Sequence, residues 1–137
     1  MAQQVEKATA TMFPFASYQD AAAAIDWLVE ALGFERKEVH EGENGTIAHA
    51  ELAFGASVFM LGSARDNAFG MKTPRELGAV TGGVYVYVED VDGHYERARA
   101  AGAEIVRELA DTDYGSREYM ARDPEGNLWS FGTYLPE

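Results

Sequence analysis

The run Asp20-Ala-Ala-Ala-Ala-Ile-Asp-Trp-Leu-Val-Glu-Ala-Leu-Gly-Phe34 holds a whole helix together with both of its stops. Asp20 is an N-cap residue, because its side-chain oxygen can accept from the free amides of a first turn. Ala24, Trp27, Leu28 and Ala31 recur at helical spacing and make one apolar stripe, with Asp26 and Glu30 on the wet side. Gly33 supplies the left-handed residue that ends the helix. Thr11 to Ser17, just before it, reads as a short apolar strand. Three strand candidates follow it: Phe34 to Glu41, Thr46 to Phe54 and Ser57 to Leu61, with Glu43-Asn44-Gly45 as the first hairpin turn.

The same order of elements then recurs about 70 residues on. Gly83 to Glu89 is a strand, Asp90 or Asp92 caps a helix running to Ala101, and Gly102 stops it as Gly33 stopped the first. Strands are predicted at Glu104 to Leu109, Ser116 to Arg122 and Leu128 to Tyr134, and Asp123-Pro124-Glu125-Gly126-Asn127 makes the last turn. The chain therefore reads as an α+β fold in a single domain, 1–137. A first βαβββ module spans 10–62, a linker rich in Gly, Pro and mixed charges spans 63–81, and a second module spans 82–135.

Strand alternation assigns faces. Val84, Val86 and Val88 point to the helix side, and Tyr85 and Tyr87 point away, toward either a cleft or the other module. Trp129 and Phe131 share the helix side, with Ser130 opposite. His49 and Glu51, two residues apart, share the cleft side, with Ala48, Ala50 and Leu52 behind them. His40 and His94 are expected in solvent. Arg117 and Tyr119, one repeat after His49, are expected among the pocket's polar groups. Trp27 is read as core.

Composition narrows the function classes. Hydrophobic residues make up 47% of the chain, with seven Phe, seven Tyr and two Trp, which is ample for a packed core. Without cysteine there is no disulfide, thiolate metal site or Cys nucleophile. The net charge of −12, from 23 acidic and 11 basic residues, opposes binding to nucleic acid or an anionic membrane surface. It would attract a cationic small molecule, or serve only to keep the protein soluble. Met1 to Ala10 has no apolar run, and a cytoplasmic location is expected. No nucleophile elbow surrounds Ser57, Ser63, Ser116 or Ser130, and no phosphate-binding glycine loop is present.

Two segments carry a family resemblance. The 20–34 helix is similar to the one that opens each module of the vicinal oxygen chelate superfamily, which unites glyoxalase I, bleomycin-resistance proteins, fosfomycin-resistance enzymes and extradiol dioxygenases. Tyr114 to Asn127, with its Arg-Asp-Pro-Glu-Gly-Asn stretch, resembles the closing hairpin of bleomycin-resistance-like members. The resemblance implies paired βαβββ modules with curved mixed sheets around a cleft, and homodimers whose pockets draw on both chains. In the enzymes it implies a divalent metal held by the first and fourth strands of each module.

Those positions are here Phe13, Met60, Gly83 and Ser130. Phe and Gly offer no donor, a thioether is soft and a lone hydroxyl is poor, so the set does not suit a hard or borderline cation. The expectation is a metal-free binding protein with no cofactor and no catalytic residue. It would hold an antibiotic-like or aromatic cationic ligand between Phe13, Phe15, Tyr85 and Tyr87. His49, Glu51, Met60, Arg117, Tyr119 and Ser130 complete the expected ligand-binding set. Two other readings stay open: a glyoxalase- or dioxygenase-like metalloenzyme with unusual ligands such as His49 and Glu51, and a metal-independent enzyme using one of these two as general base.

Overall fold

A computed structural model describes residues 10–136; the amino-terminal reading over 1–9 lies outside the described residues. The first module is β1 (Phe15–Tyr18), α1 (Ala21–Leu32), β2 (Glu35–Glu41), β3 (Ile47–Phe54) and β4 (Ser57–Ser63). A short helix, α2 (Pro74–Leu77), lies between the modules. The second module is β5 (Gly83–Tyr87), α3 (Val91–Ala100), β6 (Glu104–Asp111), β7 (Arg117–Arg122) and β8 (Leu128–Gly132). The sheets have matching orders, β1-β4-β3-β2 and β5-β8-β7-β6, with the first strand parallel to the fourth and the other pairs antiparallel. The repeat expected from the sequence is therefore a repeat of topology.

Local chemistry explains the element ends. Asp20 caps α1 by accepting from the Ala23 amide, Asp90 caps α3 by accepting from Gly93, and Gly33 sits at φ +81 where a Cβ would be strained. Helix α2 had no periodicity long enough to announce it inside the expected linker. What forms it is a capping box: the Thr73 hydroxyl accepts from the Glu76 amide, and the Glu76 carboxylate accepts from Thr73 N–H. That backbone bond holds the Glu76 carboxyl below its ordinary pKa.

One core joins the modules. Ala21, Ala24, Ile25, Leu28, Ala31 and Leu32 are buried on α1, and Trp27 is half-buried at the border of that stripe. Trp129 of β8 packs edge-on against Phe34 and Phe59 of the first module, with ring centroids 5.4 and 5.0 Å apart. The 123–127 turn then fastens the two halves. Asp123 accepts from the Tyr18 hydroxyl (2.6 Å) and from Trp129 Nε1 (3.1 Å), and Glu125 accepts from the backbone N–H groups of Gln19 and Asp20 (both 2.7 Å). Burial and the Asp123 charge push the Tyr18 hydroxyl well above its usual pKa, so it stays a donor.

Candidate functional site

The helices and the shared core occupy one side of each sheet, which leaves the other side free of them. On sheet 1, Phe15 stands opposite Met60, Met60 opposite Glu51, Glu51 opposite Glu38, and His49 opposite His40. These residues share the open face. Phe15 is 68% exposed, an unusual position for a Phe on a strand. His49 Nε2 lies 3.1 Å from a Glu51 carboxylate oxygen, and His40 Nε2 lies 2.9 Å from Glu38, which lowers the Glu38 pKa. The two imidazoles stack with centroids 6.3 Å apart. The 65–71 segment comes close over this face, so that Phe15, His49, Met60, Arg65, Phe69 and Met71 line a cavity of about 300 Å³. Phe69 is exposed and Met71 half-buried.

On sheet 2 the open face carries Gly83, Tyr85 and Tyr87 of β5 with Leu128, Ser130 and Gly132 of β8. Tyr87 is exposed and Tyr85 half-buried, its hydroxyl donating to the Tyr134 carbonyl (2.6 Å). The faces expected for Val84, Val86, Trp129 and Phe131 are those observed, since all four join the core. Two further openings run beside the unpaired edges of β1 and β5. One of about 400 Å³ is reached by Phe13, Phe15, Leu77 and Val84, and one of about 530 Å³ by Phe54, Val58, Val86 and Tyr87.

Three expectations need correction. Arg117 and Tyr119 do not face the cleft. Tyr119 is fully buried, stacked on Phe131 with its hydroxyl 2.6 Å from His94 Nδ1, and Arg117 pairs with Asp92 at the start of α3 and with Asp111. The repeat is 70 residues in β4 and β8 but 69 in β3 and β7, as Glu51–Met60 corresponds to Met120–Ser130. A two-residue turn joins β3 to β4 between Phe54 and Ser57, and the longer 123–127 turn joins β7 to β8. A slip of one residue exchanges the two faces of a strand. The open face of β7 therefore belongs to Glu118 and Met120, which an offset of 70 passes over.

His94 is likewise not in solvent. Its Nε2 donates to the Leu32 carbonyl (2.7 Å), its Nδ1 then accepts from Tyr119, and its ring lies 4.3 Å from Phe131. Burial lowers its pKa and raises that of Tyr119. Ala48, expected behind the sheet, is exposed: it is the extra residue of a bulge between the pairs His40–His49 and Glu41–Ile47.

The metal positions implied by the resemblance can be tested by donor chemistry. Phe13 precedes β1, while Met60, Gly83 and Ser130 lie on the open faces, and the four together present one thioether and one hydroxyl. Among the described residues no three His, Asp or Glu side chains form a metal-holding group. The quartet does not fit a divalent ion of the hard or borderline kind.

Twin βαβββ modules with open sheets define a protein of the vicinal oxygen chelate fold. The chain belongs to the Glyoxalase/Bleomycin resistance protein/Dioxygenase superfamily, which it matches over residues 14–131. It is 35% identical to uncharacterized proteins of Mycobacterium tuberculosis and Mycobacterium bovis, over its whole length and 80% and 90% of theirs. Among solved structures it is similar to TioX from Micromonospora sp. ML1, at 36% identity and a TM-score of 0.76 over 92% of this chain and 99% of that one. Glyoxalase I of Zea mays shares the fold at 16% identity and TM-score 0.70, with 98% of this chain matching 49% of that one. No helix among the described residues is long and apolar enough to cross a membrane.

Proposed function

We propose that this protein binds a small aromatic, cationic molecule on the open faces of its sheets and captures it without a metal-centred reaction. One observation carries the reading. The positions that the family resemblance assigns to metal ligands are Phe13, Met60, Gly83 and Ser130, which suit no divalent ion, while exposed Phe15 and Tyr87 provide flat apolar area beside them. The acidic charge favours encounter with a cation, and ring faces hold it at short range. A second copy of the chain closes each cleft, which accounts for Phe15 and Tyr87 being exposed among the described residues. His49 and Glu51 serve as the polar contacts that orient the ligand.

The test is calorimetric titration of the purified protein with acridine orange, a flat aromatic cation, and separately with zinc, nickel and manganese salts. Saturable dye binding with a raised melting temperature is expected, because ligand that prefers the native state stabilises it. One divalent ion per chain that survives dialysis would overturn the reading in favour of the metalloenzyme. Sedimentation of a monomer that still binds dye would remove the shared cleft.

A further inference from the structure

Sheet 2 carries a group that the reading above leaves unused. Glu118 is only 7% exposed, yet it lies on the open face, paired across the sheet with Gly132. One carboxylate oxygen accepts from the Tyr114 hydroxyl (2.7 Å). The other has no donor among the described residues. A carboxylate this enclosed is costly unless a donor or cation meets it. Gly132 makes the room: a Cβ there would stand 2.6 Å from Glu118 Cγ and 2.8 Å from the Tyr85 hydroxyl.

Three tyrosines wall the same spot. Tyr85 and Tyr134 have centroids 6.4 Å apart at 53°, and Tyr114 and Tyr134 are 6.4 Å apart at 88°, so the three rings form one connected aromatic group beside the carboxylate. The arrangement is pinned from behind. Tyr85 donates to the Tyr134 carbonyl, Tyr134 N–H donates to Ser116 Oγ (3.0 Å), and the buried Ser116 is tied to Thr112. The Tyr85 hydroxyl is pushed up in pKa by burial first and by the Glu118 charge as well, in keeping with their closeness. Arg107 is the cation whose charge reaches Tyr114, and it has no ion-pair partner among the described residues.

We propose that Glu118, walled by Tyr85, Tyr114 and Tyr134, binds the organic ammonium group of the ligand. A carboxylate supplies the charge, and ring faces supply the cation–π attraction that a methylated or protonated amine gains and an uncharged group does not. The inference rests on the binding reading in one respect, that a ligand reaches the open face of sheet 2. Arg107 sets a competing positive charge at the rim, so its loss strengthens the site.

The experiment titrates the full chain with choline and with dimethylbutanol, its uncharged isostere, followed by amide NMR shifts. Choline is expected to shift Ser116, Glu118 and Gly132 and to bind at least about tenfold tighter than the isostere. Glu118→Gln, which keeps shape and loses charge, is expected to weaken choline about tenfold, and Arg107→Ala to strengthen it. A circular-dichroism melt confirms that each variant is folded. Equal affinity for choline and its isostere, or undiminished binding by Glu118→Gln, overturns the proposal. Dye binding without choline binding sinks the ammonium site alone, and loss of both sinks the binding reading too.

Discussion

Removing the Asp123 carboxylate should be strongly destabilising. Asp123 is 4% exposed. Its Oδ2 accepts from Tyr18 and Trp129, and its Oδ1 accepts from the N–H groups of Glu125 and Asn127 (both 3.0 Å). Alanine strands two buried side-chain donors and two turn amides. A buried group without its partner costs about 1–3 kcal/mol, so Tyr18 and Trp129 alone account for about 2–6 kcal/mol. Relief from burying a carboxylate offsets part of that. We expect a net loss of about 3–4 kcal/mol, a large share of the roughly 5–15 kcal/mol a domain possesses. The assay is equilibrium urea unfolding followed by circular dichroism and tryptophan fluorescence together. Tyr18→Phe alone should cost about 1 kcal/mol, since Asp123 keeps its donors from Trp129, Glu125 and Asn127. Adding it to Asp123→Ala should recover stability, because one donor is no longer stranded. A loss below about 1 kcal/mol for Asp123→Ala, or additive losses in the pair, would refute the argument that this turn fastens the modules.

Three more outcomes are expected. His94 titrates lower in the folded chain than its unfolded value of about 6.5. Its contribution is therefore complete above that pH and lost as pH falls. The melting temperature should drop more between pH 7.5 and 5.5 for the native chain than for His94→Gln, and equal drops would count against the burial argument. Thr73→Ala removes the cap of α2 and an acceptor for Gln19 Nε2 (3.1 Å), and should cost about 1–2 kcal/mol in urea unfolding. An unchanged midpoint would mean the capping box contributes nothing. Phe15→Ala, at an exposed position, should leave stability within about 0.5 kcal/mol. The same change should weaken acridine orange about three- to tenfold by calorimetry; undiminished dye affinity would remove Phe15 from the site.

Periodicity and stop signals were enough for the eight strands and the two long helices, because each rests on neighbours within a few residues: Asp20 with Ala23, Gly33 at a left-handed φ, valines alternating with tyrosines in β5. The faces of β5 and β8 followed from the same alternation. Helix α2 escaped because four residues hold no period, although Thr73-Pro-Arg-Glu76 was a readable capping box.

What the sequence could not decide was register. Side chains alternate with a period of two, so one extra residue in the 123–127 turn moves Tyr119 into the core and Glu118 onto the open face. Nothing local signals that, because the offset is fixed only when β7 pairs with β8. His94 lies in the same class: its burial comes from Leu32, Phe54 and Phe131, brought to it from both modules. Elements follow from contacts close along the chain. Which side chains meet in the site follows from contacts far apart along it, and only tertiary packing sets those.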